Sequence, residues 1–198
     1  LRVAVADGAG GLVHGLRWPR ESRRPLTATA LESRCSGPTI RNFAALMLRP
    51  GSPAPDLTLL DQLGRPFTLS QTWQQGPAVV FFYPKANSLV CTKEACAFRD
   101  AFAELRAANA TVVGISRDGQ EAQKAFASQW QLPFTLLCDT ENKAHQAYDV
   151  DRVLGLLSER ITYVIDQVGM VRHAYSGLLG AQRHVQEALD AIEAQRKA

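Results

Sequence analysis

From Met47 onward the sequence predicts an α/β fold, and three observations carry that prediction. Short apolar runs with the look of strands alternate with stretches of helical period. The run AVVFFY (Ala78–Tyr83) is apolar without a break between Pro77 and Pro84, as in a strand buried on both faces. The chain closes on two strand-like runs about a tight turn and a final helical stretch. Alternation implies a mostly parallel core, and the closing hairpin adds antiparallel strands.

The elements follow in order. LTLLDQLGRPFTLS reads as two short strands about a turn at Gln62-Leu63-Gly64, an N-terminal β-hairpin ahead of the main sheet. Ala78–Tyr83 is the first central strand. A helical pattern then runs from about Cys91 to Ala108, with Cys91, Ala95, Phe98, Phe102 and Leu105 forming one apolar stripe. TVVGIS (Thr111–Ser116) is the second central strand. Gly119 to Trp130 reads as a helix with Ala122, Phe126 and Trp130 in line. PFTLLCD (Pro133–Asp139) is the third strand, and a short helix covers Glu141–Tyr148. ITYVID and MVRHAYS flank the hairpin signal Gln167-Val168-Gly169. The last helix spans Gly180–Gln195, with Val185, Leu189 and Ile192 on one face.

Composition divides the chain in two. Of 198 residues, 46% are hydrophobic and 21% charged, ordinary for a globular protein. No run of about 18 apolar residues occurs, which argues against a membrane-spanning helix. Four cysteines are too few for a disulfide scaffold. The net charge of +3 belongs to residues 1–46, where seven arginines face three acids. Residues 47–198 hold 15 basic and 16 acidic residues. Residues 1–46 show no sustained period and read as a basic, disordered leader: upstream sequence from a start placed too early, an organelle transit segment, or a regulatory tail. Residues 47–198 read as the folded domain. The scattered charge does not suggest nucleic-acid binding, and a cytoplasmic location is expected, with organelle import the alternative.

The chemistry falls in the loop after the first central strand, where α/β sheets place their sites. Ser88 suits an N-cap and puts Cys91 at the third helical position. There a thiol meets free backbone N–H groups and the positive end of the helix dipole, both of which favour the thiolate. The competing reading makes Cys91 a small core residue at the end of an apolar face. Cys96 lies off the stripe, about 140° around the helix. In an intact helix the two Cα atoms stand roughly 8.5 Å apart, beyond the ~7 Å a disulfide spans. The pair can join only if the first turn unwinds, which suits a reversible disulfide and not a staple. The four histidines are scattered, without the spacing of a zinc site.

The segment FFYPKANSLVCTKEACAFRD resembles the active-site segment of peroxiredoxins, closest to the bacterioferritin-comigratory-protein or peroxiredoxin Q group, with its F-Y-P-K-x-x-T-x-x-C-T-x-E-x-C-x-F-R-D pattern. Pro84, Cys91, Thr92, Glu94, Cys96, Phe98, Arg99 and Asp100 fall in register. The likeness continues through GISRD, PFTLLCD, AYDV and ERITYVID. It implies a thioredoxin-like fold, a central mixed sheet flanked by helices, and a thiol-dependent peroxidase acting on hydrogen peroxide and organic hydroperoxides. By position, Cys91 is the peroxidatic cysteine and Cys96 the resolving one. Ser88 stands where the group usually carries Thr, with its hydroxyl toward thiolate and peroxide. Pro84 shields the sulfur, and Arg160 lies beside it. The expected reductant is thioredoxin or a similar dithiol protein, the expected state a monomer with a dimer as alternative, and no bound cofactor is needed. The competing roles are plain ones: Pro84 as strand terminator, Arg160 as partner of a surface acid, Glu94 as ordinary first-turn electrostatics. Cys138 is expected to be an inert, partly buried thiol. A C-x-x-C disulfide oxidoreductase does not fit the four-residue gap, and a redox sensor would show no catalytic turnover.

Overall fold

Strand β3 (Ala78–Phe82) is buried at every residue, because both of its faces carry a core. Val79 and Phe81 point to one side and Ala78, Val80 and Phe82 to the other, following the two-residue period of a strand. The computed structural model describes residues 47–150, 152–153, 157–158, 160–177 and 180–197. All of them fall within one compact unit, Arg41–Ala198. The reading of residues 1–46 as a separate leader lies outside the described residues.

The central sheet has seven strands in the order β2-β1-β5-β4-β3-β8-β9. They are β1 (Thr58–Asp61), β2 (Pro66–Thr68), β3, β4 (Thr111–Ser116), β5 (Thr135–Cys138), β8 (Ile161–Ile165) and β9 (Val171–Ser176). Strands β3, β4 and β5 are parallel, while β8 runs antiparallel to β3 and β1 antiparallel to β5. The sheet is therefore mixed, and the fold is thioredoxin-like. The β1–β2 pair does not stand ahead of the sheet as a separate unit. Through β1 it forms one edge of it. Two further two-residue strands, β6 (Arg152–Val153) and β7 (Leu157–Ser158), pair with each other and were not legible in the sequence.

Both hairpin turns use one device. Asp61 Oδ1 accepts the N–H groups of Leu63 and Arg65, and Asp166 Oδ1 accepts those of Val168 and Met170. Gly64 (φ +75°) and Gly169 (φ +78°) supply the left-handed residue each turn requires.

The helices are α1 (Ser70–Trp73), α2 (Leu89–Asp100), α3 (Phe102–Ala107), α4 (Gln120–Gln129), α5 (Lys143–Ala147) and α6 (Ala181–Lys197). The single helix expected over 91–108 is divided at Ala101, where ψ is 3°. The i→i−4 bonds of Ala101 and Leu105 still bridge the break. Cys91, Ala95, Phe98 and Leu105 are buried as the stripe requires, while Phe102 is half-buried and packs on Phe134. The face expected for α4 is corrected. Ala122 is exposed, and Gln123 takes the buried position with Phe126.

Candidate active site

The site lies past the carboxyl ends of β3 and β4, where parallel strands present their loops. Residues 84–88 leave β3 and turn into α2. Asn87 makes that turn with φ +58°, a conformation asparagine tolerates better than most residues. Three contacts hold the turn. Ala86 N–H donates to Asp118 Oδ2 at 2.6 Å, Ser116 Oγ donates to the same oxygen at 2.9 Å, and Trp130 Nε1 donates to Asn87 Oδ1 at 3.2 Å. Behind Ser116, buried Gln123 donates to its hydroxyl and to the Leu137 carbonyl, and accepts from Tyr83. The amide thus satisfies groups that three strands leave inside the protein, which is why a polar residue holds the buried face of α4.

Ser88 is the N-cap of α2 and Cys91 its third residue, as the sequence predicts. The Ser88 hydroxyl makes no cap bond to the helix. Pro84 and Ser88 are half-buried and flank the turn. Cys91 is 1% exposed, Cys96 is half-buried, and both are free thiols within an intact helix.

Arg160 enters from the start of β8, 69 residues along the chain. Its Nη2 donates to Cys91 Sγ at 3.2 Å, and its Nε lies 3.2 Å from Glu94 Oε2. Among the described residues, the acid it meets is the buried Glu94 of α2. Glu94 is 1% exposed, and burial pushes its carboxyl up to about 8 against the opposing pull of Arg160. Its Oε1 lies 3.5 Å from Nδ1 of His184 on α6. Burial is also the main reason the His184 imidazole titrates below its ordinary range.

His184, Asp118 and Gln123 were not singled out by the sequence reading. His184 had a signal: it shares a four-residue spacing with Ala188 and Ile192, both buried. The remaining thiol, Cys138, ends β5, and burial, with the charges of Asp61 and Asp118, pushes it up to about 11.

A buried thiol at a helix N-terminus faces an arginine at the end of a thioredoxin-like sheet, and the relatives of the chain put it in the class of thiol peroxidases, oxidoreductases that reduce peroxides at the expense of thiols. The chain belongs to the AhpC/TSA family, whose model matches residues 50–174, and it groups with the peroxiredoxin Q members. It is 42% identical over 159 residues to the chloroplastic peroxiredoxin Q of Sedum lineare, covering 80% of this chain and 85% of that one. It is 38% identical over 170 residues to that of Arabidopsis thaliana, covering 85% and 78%. Among solved structures, peroxidoxin BcpB of Mycobacterium tuberculosis matches with a TM-score of 0.70 and 37% identity over 74% of this chain and 97% of the other. A peroxiredoxin Q of Xanthomonas campestris matches at 0.63 and 27%, covering 70% and 90%.

Proposed function

We propose that Cys91 is the reacting thiolate, that Cys96 resolves it, and that thioredoxin or a similar dithiol protein recycles the pair. The carrying observation is the 3.2 Å contact from Arg160 Nη2 to Cys91 Sγ at the third position of α2. The thiolate attacks the terminal peroxide oxygen, an S–O bond forms and the O–O bond breaks. The leaving oxygen develops negative charge and takes up a proton, giving water or an alcohol and Cys91 sulfenic acid. Arg160, the Ser88 hydroxyl and the N–H groups of the first turn are the donors that stabilise that charge. The Ser88 hydroxyl is uncommitted to the helix cap, which supports its use by substrate. Pro84 limits water at the sulfur.

The Cys96 thiol then displaces water from the sulfenic acid, forming a disulfide within one chain, so that a monomer suffices. Two thiol–disulfide exchanges with the dithiol protein restore both thiols. The plant relatives are named chloroplastic, which supports organelle import, with residues 1–46 as the import segment, over the cytoplasmic expectation. A fluorescent protein fused behind residues 1–46 in a plant cell reports it.

The test is peroxide consumption coupled to thioredoxin and its reductase. Cys91→Ser abolishes turnover. Cys96→Ser retains the first turnover and loses recycling. The peroxide-treated protein loses two hydrogens, mapped to a peptide holding both cysteines. Full steady-state turnover in Cys91→Ser, or in Cys96→Ser, overturns the corresponding role.

A further inference from the structure

Glu94 is a buried carboxyl that the scheme above leaves without a task. Arg160 is the one fixed cation in ion-pair contact with it among the described residues, and Arg160 also faces Cys91. One guanidinium thus meets two acids. A thiolate and a carboxylate together would leave this enclosed group at one net negative charge, which a dry interior resists strongly.

His184 supplies the balance. Its Nε2 lies 3.1 Å from the Gly177 carbonyl, which can only accept, so that nitrogen carries a proton. In the neutral ring Nδ1 is then an acceptor. It lies 2.8 Å from the Thr162 hydroxyl, which can donate or accept, and faces Glu94 Oε1 at 3.5 Å. Two acceptors face each other across that gap unless a proton lies between them. Among the described residues neither Glu94 oxygen has a hydrogen-bond donor in good geometry. A cavity of about 10 Å³, close to the room one water needs, is lined by Glu94, Arg160, Gly177 and His184 among others. The groups around the pair come from every packed element. Cys91 is on α2, Arg160 immediately precedes β8, and Thr162 is on β8. From β9, the Tyr175 ring lies with its centroid 4.7 Å from that of His184. From α6, Arg183 sits over Tyr175, and Glu187 is paired with His173 at 3.0 Å.

We propose that Glu94 and His184 are a proton-holding pair that keeps one proton beside the Cys91 thiolate at neutral pH, leaving the charge of Arg160 to the sulfur. Both are positioning residues that act through Arg160. The proposal rests on Cys91 being the reacting thiol. With the pair protonated, Arg160 carries the only net charge of the buried group while Cys91 is a thiol; when the S–H bond breaks, that proton leaves to solvent and the buried group becomes neutral. Burial of Glu94, which moves its titration to about 8, supports this balance near neutral pH. At higher pH the pair loses its proton, Glu94 draws the guanidinium, and less positive charge remains for sulfur and leaving oxygen.

The experiment is the single-turnover oxidation of Cys91 by hydrogen peroxide across pH in the full chain, with alkylation of Cys91 by iodoacetamide as a parallel arm. In the wild type the peroxide rate falls by on the order of tenfold through an alkaline limb near about 8. Glu94→Gln, neutral at every pH, removes the limb. His184→Phe, which lacks the acceptor, moves the limb to lower pH, and His184→Gln partly restores it. An unchanged limb in Glu94→Gln, or an unmoved one in His184→Phe, overturns the pair. Should these variants not fold, infrared difference spectra of the wild type decide: a carboxylic-acid carbonyl band lost as the pH passes about 8 supports the pair, and its absence overturns it. If peroxide does not oxidise Cys91, the peroxidase reading fails on its own. The alkylation profile still tests the pair, through a second inflection that Glu94→Gln must lack.

Discussion

A single side chain, Arg160, spans the two acids of the site, and its shape is what permits this. Nη2 donates to Cys91 Sγ, while Nε lies within ion-pair distance of Glu94 Oε2. An ammonium is a point charge and cannot hold both contacts. Arg160→Lys therefore slows the first oxidation of Cys91 by on the order of 10²-fold, the cost of losing one preorganised donor; a stopped-flow rate unchanged from the wild type would remove Arg160 from the reaction. Glu94 also marks stability. Its carboxyl titrates at 4.5 when unfolded and about 8 when folded. Between those values the folded state binds the extra proton, so Glu94's contribution is complete below 4.5 and is lost as pH rises through about 8. Urea midpoints of the wild type should decline across that window relative to those of Glu94→Gln. At this scale Cys91 and Ser88 were legible because helix-start chemistry is local. Glu94 was legible only as a match to a pattern, since its burial depends on β8 and α6 closing over it. His184 was missed because its partners come from α2 and β8, about 90 and 22 residues away.

Helix α2 must be held firmly enough to place Cys91 and loosely enough to unwind its first turn. Its two ends divide these tasks. The far end is anchored: the Phe98 ring stacks on Phe81 of β3 with centroids 4.6 Å apart, and Arg99 Nη1 donates to the Trp130 carbonyl at 3.0 Å. The near end carries Leu89, 84% exposed, and lacks a side-chain cap. Without a cap bond, orphan N–H groups of the first turn gain little from staying helical. Oxidation should therefore open residues 89–96 while residues 98–100 stay closed. Amide hydrogen exchange of the reduced and peroxide-treated forms reads this directly, and equal protection of the whole helix in both would refute unwinding as the route to the disulfide. Phe98→Ala, which loses the anchor, should cost about 3–5 kcal/mol of stability. Elements with a strong period were legible here: the apolar run of β3 and the stripe of α2 both follow from local patterning. The face of α4 was not. Gln123 is polar and reads as solvent-facing, yet it satisfies Tyr83, Ser116 and the Leu137 carbonyl, contacts that exist only after three strands have paired.

Across the whole molecule the sheet separates two cores, and its middle strands belong to both. The core under α2, α4 and α6 leaves no slack at Gly114 in β4. A Cβ there would lie 2.7 Å from Phe81 Cζ and 2.8 Å from Leu136 Cδ2, closer than packed carbons approach. Both atoms are side-chain ends on strands paired in register with β4, and the filled core around them resists their retreat. Phe81 in turn has Phe98 against its other side, and Phe98 anchors α2. The displacement is thus passed from the sheet to the helix that carries Cys91. Gly114→Ala should destabilise the protein by about 1–3 kcal/mol through overpacking, lowering Tm by roughly 2–4 °C per kcal/mol for a chain of this size. Because the strain lies where sheet and helix share one core, backbone and aromatic circular dichroism should lose their signals together at the lower Tm. A variant whose aromatic signal melts well before its backbone signal would mean that α2 parts from the sheet independently. An unchanged Tm would mean that the β3–β4–β5 layer yields more readily than its packing implies.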